Sequence, residues 1–287
     1  MAKPKAFFER KIKMELYANC MMCLLNGQLK DLPDDKKKQS FFKDIMKTIV
    51  ESGKDACAPW LASQINKLYE KHYQDYVSYT NDKRKYNQFV LDLENEIEKK
   101  IFSLKDALIY ARVGNYIDFS AVEQIDEQDF LNLLNRKEDF LDEKEYSNLC
   151  NELAHSQTLV YLLDNCGEIV LDKIVIKKIK KLYPHLEIVA ICRGSEVMND
   201  ATIEDCKQVG LDQICMVIGN GNDCAGTILN QISLQAKTYI EKAEVIISKG
   251  QGNFESLSGC NLNIYYLFLC KCDWFMKKFN VERFTGM

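Results

Sequence analysis

The second half of the chain is dominated by short apolar segments that recur at intervals, and this feature constrains the fold most strongly. Examples are TLVYLL, LEIVAIC, CMVIG, EVIIS and IYYLFLC, and the amphipathic stretch IVLDKIVIKKIKKLYP separates the first two. An alternation of this kind is typical of parallel β-strands joined by crossover helices. Because LVYLL and IVAIC are apolar at consecutive positions, both faces of the sheet should be covered.

The first half has a different periodicity. Apolar residues recur at spacings of three and four in FFKDIMKTIV and FVLDLENEIEKKIF, which indicates amphipathic helices. We therefore predict an α/β protein in three parts. Residues 1–114 form a helical subdomain, residues 115–156 a helical bridge, and residues 157–287 a three-layer α/β/α domain with a mostly parallel, Rossmann-like sheet.

The charge balance bears on the partners of the protein. The formal net charge is −4, from 38 basic and 42 acidic residues, which gives no general attraction to nucleic acid or to an anionic membrane. No stretch is long and apolar enough to span a membrane, and charges interrupt the N-terminus where a signal peptide would be apolar. We expect a cytoplasmic protein without nucleic-acid or membrane partners, and these patterns do not specify its oligomeric state.

Polar residues follow the predicted strands, at the edge of an open parallel sheet where ligands bind. Asp164 and Asn165 follow the first strand, and Asp200 lies about one strand–helix–strand unit later. A right-handed crossover places such segments side by side, so the two carboxylates should share one ion. Carboxylate and amide oxygens favour Mg²⁺ or Mn²⁺, and only three histidines are available for a zinc site. We predict a divalent-metal site at these three residues.

Either aspartate alone has another interpretation, because Asp is common as the N-cap between a strand and a helix. Polar residues at neighbouring strand ends favour a functional site: Arg193 and Asn199 after the second strand, and Lys249 after the fourth. Lys249 is followed by Gly-Gln-Gly, where an ammonium and backbone N–H groups can hold a phosphate. The residue order of a Walker A loop is absent, so that type of triphosphate hydrolysis is not indicated.

Four segments resemble, in order, the motifs of the damage-control phosphatase family, whose members are metal-dependent phosphatases with an acidic-residue-methyltransferase-like domain. The segments are LLDNCGEIVLDK, CRGSEVMNDATIEDCKQVGLD, GNDCAGT and SKGQGNFESLSG. CMMC and ARVGNYIDF further resemble the subgroup typical of archaea and of some anaerobic microbes and protists. The resemblance extends from about Cys20 to Cys272 and is specific, because several separate motifs occur in the same order.

The resemblance implies an activity and a set of site residues. The activity is that of a metal-dependent phosphomonoester hydrolase acting on small phosphorylated metabolites, such as sugar phosphates and damaged by-products. A divalent ion (Mg²⁺, Mn²⁺, Co²⁺ or Ni²⁺) would bind the residues matching Asp164, Asn165 and Asp200, and Lys249 would contact the phosphate. The substrate pocket would be lined by Glu168, Arg193, Asn199, Asn115 and Asp118.

The reaction itself has two possible forms at this stage. Asp164 can bind an ion that activates water, or it can attack phosphorus as a covalent nucleophile. In either form the predicted catalytic residues are Asp164, Asp200 and Lys249.

Two other functions compete with hydrolysis. The first is methyl transfer from S-adenosylmethionine to protein carboxylates, which a Rossmann-like domain can house. Such a site typically has a glycine-rich turn after the first strand, whereas DNCGE contains one glycine. The second is a non-catalytic protein that binds a metal ion or a phosphate compound.

Cysteines form one further candidate site. Cys20 and Cys23 have the Cys-x-x-Cys spacing on a predicted helix, which can serve a second metal ion or a redox pair. A second such pair is absent from the sequence, and two small residues on a buried helix face explain the pattern as well. Cys272 is predicted to complete a cluster with this pair in space.

Overall fold

A computed structural model describes residues 13–54, 56–75, 78–118, 126–135 and 141–287. The extreme N-terminus of the predicted helical subdomain and two stretches of the predicted bridge therefore lie outside the described residues, as does the Phe that ends the GNYIDF motif.

The described part of the chain contains twelve α-helices, a short 3-10 helix and five β-strands. The helices are α1 (Ala18–Leu29), α2 (Lys36–Val50), α3 (Ala58–Tyr73), α4 (Thr80–Glu98), α5 (Leu104–Gly114), α6 (Glu127–Leu134), α7 (Glu143–His155), α8 (Glu168–Leu182), α9 (Ile203–Gln208), α10 (Leu234–Lys242), α11 (Gln251–Leu257) and α12 (Asp273–Phe279). The strands are β1 (Thr158–Leu162), β2 (Glu187–Cys192), β3 (Met216–Gly219), β4 (Val245–Lys249) and β5 (Ile264–Leu267).

The five strands form one sheet in the order β3-β2-β1-β4-β5, and every pairing is parallel. β1 lies at the centre. The chain adds β2 and β3 on one side of β1 and then adds β4 and β5 on the other side, so β4 pairs with β1. The predicted α/β fold with a mostly parallel sheet is therefore confirmed. None of the described helices is long and apolar enough to cross a membrane.

Both faces of the sheet are covered, as the apolar runs predicted. Leu159 and Tyr161 of β1 join the apolar core on the α8 face, whereas Val160 and Leu162 join a second core with α10 and α11. Alternate side chains of a strand point to opposite faces, so every position of a run such as LVYL can be buried.

Helices α4 and α5 form a further layer outside α8. Both pack on α8, and every residue of α8 from Glu168 to Ile176 is buried between them and the sheet. This explains why the first turns of α8 are apolar nearly all round, which a surface helix would not be.

The helices of the first half join different cores. Helices α1, α2 and α3 share a core around Phe41, Ile45 and Leu61, and α3 contacts α11. In contrast, α4 and α5 contribute Val90 and Leu108 to the core on the α8 face. The domain limits given above remain a prediction, but the helices before residue 115 divide into two packing groups.

Helix α5 carries the chain to the strand ends. It begins at a capping box, in which the Ser103 hydroxyl accepts from the backbone of Asp106 and the Asp106 carboxylate accepts from the backbone of Ser103. It ends at Gly114, where a Cβ atom would lie 3.2 Å from the Glu168 Cα atom. This close approach of α5 to α8 places Asn115 beside the ends of the central strands.

Candidate metal centre and active site

The loops after β1 and β2 run alongside each other at the carboxyl edge of the sheet. Asn165 and Asp200 form an antiparallel bridge, and the backbone N–H of Ala201 donates to the Asp164 carbonyl at 2.7 Å. The Cys166 N–H donates to the Asn199 carbonyl at 2.8 Å. The structure thus brings together the three residues that the crossover argument placed side by side.

Neither aspartate caps a helix. The N-cap of α8 is Gly167, with a φ of 73° and no side-chain cap, and the N-cap of α9 is Thr202, which forms a capping box with Asp205. The interpretation of Asp164 and Asp200 as helix N-caps is therefore wrong. Their side chains remain available to the site.

Arg193, the first residue after β2, lies between the two carboxylates. Its Nε donates to Asp200 Oδ2 at 2.6 Å, and its Nη2 donates to Asp164 Oδ1 at 3.1 Å. Its Nη1 donates to Asn253 Oδ1 at 3.0 Å. Burial alone would lower the pKa of the guanidinium, but Asp200 and Asp164 raise it, so Arg193 stays charged.

Two amide side chains hold the other oxygen of Asp164. Asn165 Nδ2 donates to Asp164 Oδ2 at 2.8 Å and to Glu168 Oε2 at 3.0 Å. Asn115 Nδ2 donates to the same two oxygens, each at 3.0 Å. With its NH₂ group committed to carboxylates, Asn165 keeps its carbonyl oxygen Oδ1 for an ion.

Glycine is required next to Asp164. Gly250, directly after β4, has a φ of 80°, and a Cβ atom there would lie 2.0 Å from Asp164 Oδ2. The glycine that follows Lys249 therefore allows the backbone to approach the candidate metal ligand, in addition to permitting a left-handed turn.

The buried charges around these residues do not balance. Burial is the largest cause that raises the pKa of Asp164 well above its usual value, followed by the nearby charges of Asp200 and Glu168. Burial likewise raises the pKa of Asp200. The buried groups that contact one another here are four carboxyls (Asp164, Glu168, Asp172, Asp200) and two cations (Arg193, Lys249), whereas the neighbouring Lys271 and Lys83 are paired with Asp118 and Asp205.

If all four carboxyls are ionised, their negative charge exceeds the positive charge of Arg193 and Lys249 by two, and the burial that raises the pKa of Asp164 and Asp200 favours neutralisation of this excess by a bound cation. The oxygen donors at Asp164, Asn165 and Asp200 are hard ligands of the kind that Mg²⁺ and Mn²⁺ prefer. On both charge and donor chemistry, the residues present fit a divalent ion.

Lys249 lies behind these ligands in a second buried group, which we call the lysine cluster: Lys249, Glu168, Asp172 and Tyr161. The Lys249 Nζ donates to Glu168 Oε1 and Asp172 Oδ1, both at 2.6 Å, and to the Ala111 carbonyl at 3.0 Å. These bonds use all three N–H groups of the ammonium. Lys249 points this way because it shares a strand face with Ile247, which packs on the α8 side.

The predicted contact between Lys249 and phosphate would require these bonds to break, since the residue is fully buried and its donors are engaged. Burial alone would lower the pKa of Lys249, but Asp172 and Glu168 raise it, so the ammonium stays charged. Direct phosphate binding by Lys249 stays a prediction.

The remaining predicted pocket residues lie around the same edge. Asn199 Nδ2 donates to the Ile117 carbonyl at 2.9 Å, which ties the β2 loop to the segment after α5. Asp118 pairs with Lys271 at 2.5 Å, and its predicted role in closing the pocket from the helical side stays a prediction.

The three candidate cysteines are neighbours without forming a ligand set. Cys23 and Cys272 both raise the pKa of Cys20, after the larger effects of burial and Glu255. Cys272 Sγ caps α12 by accepting from the Phe275 N–H. Within the described ranges, no three His, Cys, Asp or Glu side chains come together to hold a metal ion. A redox role for these cysteines remains a prediction.

Sequence reasoning missed three residues that shape the site: Asp172, Asn253 and Lys271. Asp172 follows Glu168 by one helical turn, so its spacing placed it on the same face. Asn253 Nδ2 donates to the carbonyls of Leu163 and Lys249 at 3.1 and 2.8 Å, which ties the ends of β1 and β4 together. The sequence around Lys271 contains no pattern that predicts a place for it near the site.

A cleft of about 640 Å³ has none of the candidate metal ligands in its lining. It is lined by residues of α4 and α9 and of the loops after β2 that carry Arg193 and Asp200. The charged lining residues are Lys83, Arg84, Lys207, Glu196, Glu204 and Asp205.

Comparisons with known proteins agree with this architecture. The sequence profile described as the damage-control phosphatase ARMT1-like domain matches residues 16–285. An uncharacterized protein of Methanocaldococcus jannaschii, MJ0202, is 30% identical over 283 residues, covering 91% of this chain and 90% of that protein.

Two relatives carry functional names. Damage-control phosphatase PH1575 of Pyrococcus horikoshii is 35% identical over 181 residues, which cover 62% of this chain and 61% of that protein. A damage-control phosphatase of Archaeoglobus fulgidus is 34% identical over 188 residues, which cover 64% of each chain.

A solved structure extends the match to the whole fold. The crystal structure of the DUF89 family protein PH1575 from Pyrococcus horikoshii superposes with a TM-score of 0.77 at 26% identity, covering 95% of this chain and 98% of that one. With the profile match over residues 16–285, this chain belongs to the family of damage-control phosphatases with the ARMT1-like domain.

Proposed function

We propose that the protein is a metal-dependent phosphatase that hydrolyses small phosphorylated metabolites, such as sugar phosphates or damaged phosphometabolites. The observation that carries the proposal is the group of Asp164, Asn165 and Asp200, which offers three oxygen ligands at the point where the loops after β1 and β2 meet. The names of the relatives support phosphatase activity in general.

Asp164, Asn165 and Asp200 would hold a divalent ion such as Mg²⁺, Mn²⁺, Co²⁺ or Ni²⁺. When bound, such an ion polarises a phosphoryl oxygen and lowers the pKa of bound water. The protein's own residues fix the ligands: Asn115 and Asn165 donate to Asp164 Oδ2, and Arg193 donates to Asp164 Oδ1. Because these side chains are already held in place, they would need to move little as negative charge develops on the phosphoryl group.

Arg193 is our candidate for the cation that neutralises the transferred phosphoryl group. Three of its five N–H groups are engaged with Asp200, Asn253 and Asp164, which leaves two for phosphoryl oxygens. A planar guanidinium suits this task because it donates in parallel pairs. Lys249 would then act from behind the ligands rather than on the phosphate.

The remainder of the substrate would occupy the neighbouring cleft. Ser195 and Glu196 line it just after Arg193, and Thr202 lines it just after Asp200, so a molecule whose phosphate reaches the centre would extend into this space. The mixed charge and hydroxyl lining suits a polar metabolite, and a volume of about 640 Å³ suits a small one.

Release of inorganic phosphate from a panel of sugar phosphates, with Mn²⁺ or Co²⁺ added, tests the proposal. We expect hydrolysis that chelation abolishes and that Asp200→Ala abolishes. Lys47→Ala, on the exposed surface of α2 and outside the lining of the cleft, is the control and should retain the turnover of the wild type.

The competing functions give different results in the same experiment. Methyl transfer from S-adenosylmethionine without phosphate release across the panel would contradict the proposal, as would metal binding without any turnover. Beryllium fluoride separates the two forms of hydrolysis, because a fluoride adduct on the Asp164 carboxylate would indicate a covalent aspartyl intermediate.

A further inference from the structure

The lysine cluster lies directly behind the candidate metal ligands and is more deeply buried than they are. Lys249, Glu168 and Asp172 are each 0% exposed, whereas Asp164 and Asp200 are 7% and 5% exposed. A cluster with no access to solvent cannot touch a substrate in this arrangement. Its effect on the site must be transmitted through hydrogen bonds.

Glu168 connects the lysine cluster to the candidate metal ligands, because its two carboxylate oxygens accept hydrogen bonds from different partners. Oε1 accepts from Lys249 Nζ at 2.6 Å. Oε2 accepts from Asn115 Nδ2 and Asn165 Nδ2, each at 3.0 Å, and from the Asn165 backbone at 3.3 Å. The position of the ammonium therefore decides which way Oε2 faces.

The direction of Oε2 in turn sets the ligand atom of Asn165. A carboxamide is planar, and its NH₂ group and its carbonyl oxygen point in different directions within that plane. Since Glu168 Oε2 and Asp164 Oδ2 hold the NH₂ group, Oδ1 is fixed as the atom that can coordinate an ion. Hydrogen bonds of this type behind a metal ligand typically govern its affinity.

Asp172 has contacts that stability alone does not explain. Its Oδ1 accepts from Lys249 Nζ at 2.6 Å and from the Tyr161 hydroxyl at 2.7 Å. Its Oδ2 is buried and has no hydrogen-bond partner among the described residues. A buried carboxylate oxygen without a partner is costly, so a role in the site accounts better for this residue.

We propose that Asp172 is a positioning residue for the metal ligand Asn165, and that it acts through Lys249 and Glu168. Because Asp172 takes one N–H of the ammonium, Glu168 needs only one oxygen for Lys249 and keeps the other for the amides. Without Asp172, the ammonium would draw both Glu168 oxygens, and Asn165 would lose one of the two acceptors that orient it. This inference rests on the proposed metal centre and adds a residue behind it.

Titration of the metal-free protein with Mn²⁺, followed by calorimetry, tests the inference in Asp172→Leu, which has a similar size and no acceptor for the ammonium. We expect affinity for Mn²⁺ to fall about tenfold to a hundredfold. The visible absorption spectrum of the Co²⁺-loaded variant should also change, since an altered amide ligand changes the ligand field. An affinity within about threefold of wild type would overturn the inference.

The double variant Asp172→Leu, Lys249→Met distinguishes an effect of side-chain position from an effect of charge. It removes one negative and one positive charge, so the net charge behind the ligands is unchanged, and replacing a buried pair is better tolerated than breaking it. Glu168 nevertheless loses the ammonium that holds its Oε1, so we expect Mn²⁺ affinity to stay at least about tenfold below wild type. Wild-type affinity here would contradict the inference, even if Asp172→Leu alone does not fold.

Tyr161→Phe is the matched control, because it removes a hydrogen bond to the same Asp172 oxygen but leaves Lys249 paired. Its Mn²⁺ affinity should equal that of wild type, and a fall as large as that of Asp172→Leu would contradict the route through Lys249. Wild-type protein that binds Mn²⁺ but hydrolyses no phosphate ester would contradict the proposed function alone. A wild type that binds no divalent ion would contradict both.

Discussion

The two buried charge clusters at the carboxyl edge of the sheet differ in what neutralises them. In the lysine cluster, a side chain of the protein supplies the cation, and Lys249 sits 2.6 Å from both Glu168 and Asp172 with no solvent access. In the candidate metal centre, Arg193 bridges Asp164 and Asp200, which retain slight exposure. The first cluster is closed, whereas the second can accept an ion from outside.

Because of this difference, the same edge of the sheet contains one cluster that stabilises the fold and one that can bind a metal ion. A closed ion pair in the interior is destabilising to break, because the remaining partner is left buried and unpaired. In the metal-free protein, ionised carboxylates without enough neighbouring positive charge destabilise the fold. A bound cation removes this destabilisation. Loss of the lysine cluster should therefore affect folding first, and loss of the metal centre should affect activity first.

Lys249→Met should have the largest effect on folding. It leaves Glu168 and Asp172 buried without their cation, and we expect the free energy of unfolding to fall by about 3–5 kcal/mol. Urea denaturation monitored by circular dichroism measures this change. Adding Asp172→Asn should restore part of the stability, and an unaltered midpoint for Lys249→Met would contradict the assignment of the lysine cluster.

Asp200→Asn should reduce phosphatase activity strongly and folding stability only slightly. An uncharged amide can still accept from Arg193, so the metal-free protein should lose less than about 1 kcal/mol of stability. Phosphatase activity should fall by at least about a hundredfold, because a direct metal ligand is lost. Equal losses of stability and activity would remove the distinction between the two clusters.

Gly250→Ala should damage the metal centre through the backbone. The left-handed φ of 80° strains any other residue, and the new Cβ atom would lie 2.0 Å from Asp164 Oδ2. We expect a loss of about 1–3 kcal/mol in stability and weaker Mn²⁺ binding.

Gly210→Ala is the control for that strain. Its φ of 73° is similar, but nothing lies within 4 Å of its Cβ position. It should lose stability without any change in Mn²⁺ affinity. If both variants bind Mn²⁺ like wild type, Asp164 does not depend on the close approach of Gly250.

Glu255 offers the most gradual effect, since it is a buried carboxyl for which the described residues show a hydrogen bond from Gln251 and no ion pair. Burial raises its pKa from 4.5 to about 7, so the unfolded chain releases this proton at lower pH than the folded protein. Wild-type stability should fall as pH rises from about 4.5 to about 7 and then level off.

Glu255→Gln should remove this part of the pH dependence and stabilise the protein at pH 7 by on the order of 1 kcal/mol. Thermal unfolding of both proteins between pH 4.5 and 8 measures the difference. Identical pH profiles would show that Glu255 is not a buried, unneutralised carboxyl.

The sequence predicted the sheet and the pair of loops that meet at Asp164 and Asp200, because apolar periodicity and crossover handedness both act over short stretches of chain. It did not predict the direction of Lys249. A residue at the end of a strand can point to either face, and the pattern does not tell which face carries α8.

Asp172 was missed for a related reason. An Asp one turn after Glu168 is usually a solvated residue on a helix surface, and α8 is buried only because α4 and α5 pack over it. That packing depends on contacts far apart in sequence. Arg193 was predicted as a pocket residue, but its bridge between the two carboxylates was not. The folded loops after β1 and β2 are what bring those carboxylates together.

The most direct test of the central claim is a crystal of the protein soaked with Mn²⁺ and phosphate and measured at the manganese absorption edge. The account predicts one anomalous peak, about 2.0–2.2 Å from oxygens of Asp164, Asn165 and Asp200, with phosphate between this ion and the cleft. A peak elsewhere, with these three side chains making no contact to the ion, would contradict it.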